Sequence, residues 1–398
     1  MLRAIATLRV VLYHGTGDPR WSWFAAMPVM FFVGGSLYAK SLDRRPGLVL
    51  LKARLRRILI PFWGWAALVF VVYTVEGAWS RVPWWGIFGF VMPIVPAAGA
   101  GARGSGTGAA HIAASQDLLY WTYMGLWYIT AYIIFMIIGI PLRRFQQRAP
   151  WWCMGVLAAP VVLSALLRQP IVGAPTFMLV FWILGYMYHD HRSSLPPVWV
   201  TATIAAVSAI AGIGYALAVH TGVRVNIVNY PFVLDSVGFA VVCLVLSSRS
   251  LIAQVVRIHT VDVVVSWFQQ RALTIYLWHP LALGIILWIH GRVSLEKSYL
   301  FTLVELLPMT FVLATAVGWL EDYAAGRRLQ VLPKFSGTID LRRGAIDLSP
   351  WLPPAAEPDD ATVIDLRPLD ASRRTDEVPR PSPLDRVRKQ GELQGGTT

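Results

Sequence analysis

Residues 52–75 read KARLRRILIPFWGWAALVFVVYTV, a basic cluster followed directly by an uncharged apolar run over 58–75. About 20 apolar residues in a helix are needed to cross the roughly 30 Å hydrocarbon core of a bilayer. The stretch therefore predicts a transmembrane helix. The arginines in front of it predict the cytoplasmic end of that helix, because basic residues are concentrated on the cytoplasmic side of membrane proteins.

The whole composition extends this prediction. Of 398 residues 56% are hydrophobic and only 14% are charged, with 18 Trp and a mean hydropathy of +0.54. A water-soluble protein would carry about 25% charged residues. We predict an all-α polytopic membrane protein with about ten transmembrane helices, near 3–17, 23–39, 58–75, 118–140, 152–167, 175–188, 198–219, 230–248, 272–290 and 299–320.

The net charge of +13 does not indicate nucleic-acid binding. From residue 327 to 398 there are 12 Lys+Arg against 11 Asp+Glu, so 35 − 12 = 23 basic and 22 − 11 = 11 acidic residues remain in 1–326. The excess lies in the apolar body, where basic loops set membrane orientation.

A cytoplasmic N-terminus accounts best for the basic residues. Fifteen would then lie inside: Arg3, Lys40, Arg44, Arg45, Lys52, Arg54, Arg56, Arg57, Arg143, Arg144, Arg148, Arg192, Arg249, Arg257 and Arg271. Seven would lie outside: Arg20, Arg81, Arg103, Arg168, Arg224, Arg292 and Lys297. We therefore predict that both termini are cytoplasmic.

The domain boundaries follow from composition. Residues 1–325 form the predicted transmembrane domain, and 326–398 form a polar, proline-rich, disordered cytoplasmic tail. Within the domain, 83–96 is too short and Gly/Pro-interrupted to cross, so we expect a re-entrant or interfacial segment. The Gly/Ala/Ser-rich stretch 97–116 is expected to be a flexible loop. The two cysteines indicate buried packing, and no cleavable signal peptide is evident.

Arg3 and His14 are the first candidates for function. Eleven residues are three helical turns plus about 20°, so both side chains project from one face, roughly 16 Å apart along the axis. A neutral imidazole near the middle of the membrane could take a proton from an acceptor hydroxyl. The alternative is a histidine hydrogen-bonded within the bundle or lying at the outer interface.

Arg54 and Arg57 are spaced i, i+3 and share a helix face. Paired guanidinium groups suit phosphate oxygens, whereas a simple positive-inside anchor is the alternative. Both arginines are predicted on the same membrane face as Arg3, so a phosphorylated cytoplasmic molecule could meet all three.

Other polar or small residues inside spans have more than one explanation each. Asp235 and His279 are predicted intramembrane ionisable groups, and Asp235 could orient an imidazole, bind an acceptor hydroxyl or pair with Arg9. Trp127 and Tyr128 are either site residues or an aromatic belt, and the two glycines of FFVGGSLYAK permit close helix packing or ligand approach. His189 and His191 in MYHDHR are expected in a surface loop, and no metal site is predicted.

Together these residues resemble one family. LRAIATLRVVLYH at 2–14, MPVMFFVGGSLYA at 27–39, RLRRILIPFW at 54–63, LWYITAY at 126–132 and LTIYLWHP at 273–280 are similar, in this order, to motifs of the membrane acyltransferase-3 family. FFVGGS stands where many members have FFxLSG, a variant that looks like an actinobacterial branch. Relatives usually carry further residues before the first motif, so the resemblance implies a misassigned start codon or a truncated copy.

The resemblance implies transfer of an acyl group, commonly acetyl or succinyl, from cytoplasmic acyl-CoA to an extracytoplasmic sugar or glycolipid. It implies His14 as the catalytic residue, Arg3, Arg54 and Arg57 as donor-binding residues, and no metal. The expected partners are acyl-CoA, the carbohydrate or glycolipid acceptor and membrane lipids, but no nucleic acid.

Two other functions stay open on the sequence. A sugar or lipid transporter or flippase could use Asp235 and His279 as intramembrane proton-binding sites. A non-catalytic scaffold could recruit cytoplasmic partners through the proline-rich tail.

Overall fold

The computed structural model describes residues 1–75, 77, 79, 84–93, 126–167, 174–219, 226–227, 230–292, 299–327 and 329. All of them lie in one compact unit, Met1–Pro354. The predicted loop 97–116 and all of the predicted tail except residues 326, 327 and 329 lie outside the described residues.

The described chain contains fourteen α-helices and no β-strand. They are α1 Leu2–Thr16, α2 Ala26–Leu42, α3 Gly47–Val75, α4 Trp84–Val91, α5 Leu126–Arg148, α6 Pro150–Leu166, α7 Ala174–His191, α8 Val198–Val219, α9 Pro231–Ser247, α10 Arg249–Val256, α11 His259–Gln270, α12 Ala272–Arg292, α13 Tyr299–Val317 and α14 Trp319–Ala324. Short 3₁₀ helices occupy Pro19–Phe24 and Arg192–Ser194.

The all-α membrane class is confirmed. Within the described residues, five helical stretches are long and apolar enough to cross a bilayer: Pro19–Leu42, Gly47–Val75, Leu126–Arg148, Val198–Val219 and Ala272–His290. A sixth is obtained if Pro231–Ser247 and Arg249–Val256, bent by 65°, count as one span. Each of the ten predicted spans coincides with an α-helix, while ten crossings stay a prediction.

Two boundaries differ from the sequence prediction. The helix predicted over 58–75 begins eleven residues earlier, at Gly47, so its basic segment is helical and continuous with the apolar run. The helix predicted over 118–140 continues to Arg148, and its first predicted residues lie outside the described part. α4 has 8 residues and rises only about 12 Å, so its re-entrant or interfacial position stays a prediction.

The centre of the bundle is α2, which packs against α1, α3, α5, α7 and α9. Its contact with α7 is made by glycines, because a Cβ on Gly35 would collide with the backbone of Trp182 and a Cβ on Gly185 would lie 2.6 Å from the nitrogen of Ser36. The two backbones therefore approach as closely as small residues allow. Of the two explanations for the glycine pair, the structure supports helix packing.

Hydrogen bonds of buried tyrosine and tryptophan side chains connect α2, α5 and α7. The Tyr38 hydroxyl donates to the carbonyl oxygen of Met136 (2.9 Å), and Trp182 Nε1 donates to the Tyr186 hydroxyl (2.8 Å). The Tyr186 hydroxyl in turn donates to the carbonyl oxygen of Gly139 (3.2 Å). Each hydroxyl or indole N–H thus has a partner, as a buried polar group requires.

The histidines of MYHDHR do not lie in a loop, so that expectation was wrong. They occupy the last turn of α7, where His189 Nε2 is 2.7 Å from Asp43 Oδ2 and the neighbouring Asp190 pairs with Arg143 (2.5 Å). Asp43 also lies 3.4 Å from Arg143. These ion pairs join the ends of α2, α5 and α7. The described residues hold no group of three or more potential metal ligands.

Candidate active site

His14 lies in the last turn of α1 and contacts His279 of α12. Its Nδ1 atom is 2.8 Å from His279 Nε2, the ring planes differ by 7°, and the ring centres are 5.1 Å apart. Two imidazoles joined by a nitrogen–nitrogen hydrogen bond of 2.8 Å in their common plane have ring centres about 5 Å apart. The two rings therefore meet edge to edge and are not stacked. His279 is fully buried, whereas His14 is partly exposed.

The hydrogen bonds assign the protons of this pair. His279 Nδ1 lies 3.0 Å from the carbonyl oxygen of Ile275, which can only accept, so Nδ1 carries the hydrogen. A neutral buried imidazole then leaves Nε2 as an acceptor, and the hydrogen between the rings belongs to His14 Nδ1. His14 Nε2 consequently keeps its lone pair, the form that a general base needs.

The predicted donor-binding residues come together around one cavity. This cavity of about 410 Å³ is lined by Arg3 of α1 and by Arg54 and Arg57 of α3. Arg54 Nη2 donates to the Ser41 hydroxyl at the end of α2 (3.0 Å), which orients one guanidinium group. Three arginines from two helices thus line a common space, while their donor-binding role stays a prediction.

The rest of the cavity wall comes from α2, α3, α5, α11, α12, α14 and the chain just after α14. It consists of Met30, Ile58, Tyr128, Ile129, Tyr132, Ser266, Gln269, Gln270, Ala272, Leu273, Tyr276, Glu321 and Arg327. Guanidinium groups, amides, hydroxyls and apolar side chains therefore surround one space, which suits a ligand with charged, polar and apolar parts.

Aromatic side chains of the cavity wall extend to the histidine pair. Tyr276 packs on Tyr128 (ring centres 4.8 Å apart) and on His279 (5.8 Å). Tyr132 continues the row, within hydrogen-bonding reach of Arg3. His14 itself does not line the cavity. Tyr276 both lines the cavity and packs on His279.

Glu321 connects the cavity with the helix that carries His279. Its Oε1 atom accepts from the backbone N–H groups of Leu273 (2.9 Å) and Thr274 (3.1 Å) and so caps the start of α12. Its Oε2 atom has no hydrogen-bond partner among the described residues. Burial raises the pKa of Glu321 to about 7, against these two bonds and the nearby Arg271, which lower it.

The other sequence candidates lie elsewhere. Asp235 is buried in α9, and neither of its carboxylate oxygens has a hydrogen-bond partner in the described part of the chain. It does not pair with Arg9, whose Nε atom donates to the carbonyl oxygen of Trp21 (2.6 Å) and whose guanidinium group covers the Tyr13 ring. Trp127 packs on Tyr128 without lining the cavity.

A polar contact with the chain before α9 lies near His14. Asn226 Nδ2 donates to the Tyr13 hydroxyl (2.7 Å), and the rings of Tyr13 and His14 are 5.2 Å apart. The backbone N–H of Ile227 donates to the Ser22 hydroxyl (3.2 Å). Through Tyr13, polar groups of the chain before α9 thus come near His14.

Sequence reasoning missed several cavity residues. Tyr132 and Tyr276 lie inside the quoted motifs LWYITAY and LTIYLWHP, where their spacing of four and three residues from Tyr128 and His279 was the available signal. Glu321 and Arg327 follow the last apolar run, where a polar boundary is expected in any case. Ser266, Gln269 and Gln270 of α11 lie between two predicted spans, where polar residues are expected in any case.

The fold and site define a helical membrane protein with a basic cavity near a pair of hydrogen-bonded histidines, one of them fully buried. A comparison with protein families matches residues 1–320 to the acyltransferase-3 family, described as an acyltransferase domain. Searches of curated proteins and of solved structures returned no match.

The match covers most of the chain, so the protein belongs to the acyltransferase-3 family. It is therefore a membrane O-acyltransferase, and the resemblance seen in the sequence motifs is confirmed.

Proposed function

We propose that the protein moves an acetyl- or succinyl-type group from cytoplasmic acyl-CoA to a hydroxyl of an extracytoplasmic carbohydrate or glycolipid. It would act in the cell membrane with both termini in the cytoplasm. The observation that supports this most is the arginine-lined cavity, whose inner wall, Tyr276, touches the histidine pair. A phosphorylated donor and a base thus lie within reach of each other.

Donor binding would place the phosphate groups of acyl-CoA against Arg3, Arg54 and Arg57. Guanidinium groups bind phosphate oxygens through charge-assisted hydrogen bonds. The narrow pantetheine arm would then run past Tyr132 and Tyr276 and bring the thioester to His14. The arm would pass Tyr276, which lines the cavity and packs on His279.

His14 Nε2 would take the proton of the acceptor hydroxyl, and the oxygen would attack the thioester carbonyl carbon. The carbon–sulfur bond then breaks, and the leaving thiolate takes the proton back from His14. His279 Nε2 accepts the hydrogen of His14 Nδ1 and stabilises the imidazolium that forms between these steps. A covalent acyl-imidazole on His14 is the alternative route to the same products.

The test is acyl transfer in proteoliposomes with labelled acetyl-CoA and envelope glycolipids extracted from the producing cells. His14→Ala should lose about 10²- to 10⁴-fold in kcat, the usual contribution of general-base catalysis. The matched control is His191→Ala, because His191 is exposed at the end of α7 and its imidazole bonds the Met187 carbonyl oxygen of its own helix.

The donor side is tested with a second pair of variants. Arg54→Ala should raise KM for acetyl-CoA, whereas Arg56→Ala should not, because Arg56 is exposed and does not line the cavity. Normal turnover by correctly inserted His14→Ala would exclude the catalytic role of this residue. Equal KM values for the two arginine variants would exclude the donor site.

A transporter or flippase is the second candidate, and Asp235 is the observation that favours it. A buried carboxyl group whose oxygens have no partner among the described residues is what an intramembrane proton-binding site would contain. Flux of a labelled glycolipid across proteoliposomes without acyl-CoA consumption, abolished by Asp235→Asn, would support this function. Flux that depends on acyl-CoA would contradict it.

A further inference from the structure

Arg327 is held at the cavity by the chain that follows α14. Gly326 adopts a left-handed φ of 66°, and the next backbone N–H, that of Arg327, donates to the carbonyl oxygen of Asp322 (2.8 Å). This turn folds the chain back, and Arg327 Nη2 reaches Asp322 Oδ1 (3.3 Å) while the side chain lines the cavity.

Asp322 is itself held in place by Arg271. Its Oδ2 atom accepts from Nη2 of the fully buried Arg271 (2.8 Å), and Arg271 Nη1 donates to the carbonyl oxygen of Gly318 (2.5 Å). Asp322 is therefore shared between two arginines and cannot neutralise both. Arg327, whose side chain is 39% exposed, keeps part of its guanidinium group available to a ligand.

The cavity is strongly positive. Four arginines line it, Arg3, Arg54, Arg57 and Arg327, while Glu321 is the acidic side chain among the described lining residues. Arg54, Arg327 and Arg3 each lie close enough to Arg57 to repel its charge. Holding like charges together around a partly enclosed space costs free energy, and a polyanion that enters the space recovers it.

We propose that Arg327 is a fourth donor-binding residue and that the cavity selects a carrier with several phosphate groups over a singly phosphorylated one. The inference rests on the proposed function, since it concerns the donor of that reaction. The cations come from α1, from α3 and from the chain after α14, so they can contact anionic groups at separate points of one ligand.

The opposite part of the wall is polar but uncharged. Ser266, Gln269 and Gln270 of α11 offer hydroxyl and amide groups, which suit the amides and the heterocyclic base of a nucleotide carrier. A carrier with a charged end and an uncharged polar remainder thus matches both halves of the cavity. Arg327 and Asp322 lie beyond the matched residues 1–320, so the family comparison assigns them no role.

The test is a series of donors with decreasing phosphate content: acetyl-CoA, acetyl-dephospho-CoA, acetyl-phosphopantetheine and acetyl-pantetheine. The first and last steps of the series each remove one phosphate group alone, whereas the middle step also removes the adenosine. Binding is measured calorimetrically to the purified full chain in detergent. For the wild type we expect Kd to rise at each lost phosphate. Arg327→Ala should weaken acetyl-CoA binding about tenfold or more, the usual effect of losing a charge-assisted hydrogen bond. In this variant the increase in Kd at one step of the series should be smaller than in the wild type.

The matched control is Arg257→Ala, which removes an exposed arginine between α10 and α11 that does not line the cavity. It should reproduce the wild-type series. Arg327→Gln, which keeps a polar side chain, provides the same measurement if Arg327→Ala does not fold. A lower salt dependence of binding in the Arg327 variants is the second expected readout, since one cation fewer contacts the ligand.

The outcomes separate this inference from the proposed function. If the wild type binds none of the four donors, the proposed function fails. If the wild type follows the series but the Arg327 variants match Arg257→Ala, only the role of Arg327 is overturned. A wild type that binds acetyl-phosphopantetheine as tightly as acetyl-CoA would contradict the selection for several phosphate groups.

Discussion

His279 is expected to act through His14, and His279→Phe tests this most directly. The substitution fills most of the volume of a fully buried side chain but removes the Nε2 acceptor 2.8 Å from His14 Nδ1. The His14 N–H then loses its partner, both in the resting enzyme and in the imidazolium formed during the reaction. His279 is thus a positioning residue in this hypothesis.

The magnitude follows from one hydrogen bond. A bond to a charged group contributes about 1.5–3 kcal/mol, so its loss in the imidazolium state should lower kcat about 10- to 150-fold. KM for acetyl-CoA should change little, because the arginines that bind the donor are untouched. His279→Gln, whose side-chain oxygen can accept near the position of Nε2, should retain much of the activity.

The assay is initial-rate acetyl transfer in proteoliposomes, with His279→Phe measured alone and combined with His14→Ala. If His279 works through His14, the double variant should be as active as His14→Ala alone. Additive losses in the double variant would refute the reasoning. So would a rise in KM at unchanged kcat. Size-exclusion profiles and unfolding midpoints in detergent check that each variant is folded.

Three further predictions concern packing, pH and orientation. Gly185→Ala should lower stability by about 1–3 kcal/mol, because its Cβ would meet the backbone of α2, and a thermal unfolding midpoint no lower than that of Gly155→Ala, whose Cβ meets nothing within 4 Å, would contradict this. Since the folded-state pKa of Glu321 is raised to about 7 from 4.5, the folded state binds more protons between these values, so stability should fall as pH rises through this window and stay level above it. Glu321→Gln should lose that part of the pH dependence in unfolding midpoints measured between pH 4.5 and 8. For orientation, a cysteine placed at Arg56 should react with a membrane-impermeant thiol reagent only in inside-out vesicles, whereas one placed at Arg20 should react only in right-side-out vesicles.

The apolar runs allowed the helices to be predicted because length and hydropathy are local properties of the chain. The common face of Arg54 and Arg57 could likewise be predicted from their i, i+3 spacing, whereas the choice between a phosphate site and a positive-inside anchor could not. Their meeting with Arg3 also followed, because a common membrane face brings separate helices to one level.

The histidine pair could not be derived in the same way. His14 and His279 are 265 residues apart, and no periodicity relates α1 to α12. Only the packing of those two helices brings the rings together. Arg327 is a similar case, because its position depends on the turn at Gly326 and on Asp322.

The short helices between α9 and α12 were missed for another reason. Their residues are too polar for a membrane span, so hydropathy assigned them to a loop. In the structure they bury apolar residues such as Val256 and Trp267 and expose polar ones such as Gln254 and His259. A helical period over 8 or 12 residues is a weak signal, and tertiary contacts decide whether such a segment folds.

The row of tyrosine rings near the cavity and the histidine pair has a consequence for the proton permeability of the membrane. A polar cleft that ran continuously from one face of the bilayer to the other would let protons leak along chains of water molecules. Tyr128 and Tyr276, packed 4.8 Å apart, line the cavity, and Tyr276 also packs on His279. We expect these rings to limit the passage of water between the cavity and the histidine pair, so that the proposed enzyme would not dissipate the proton gradient of its membrane.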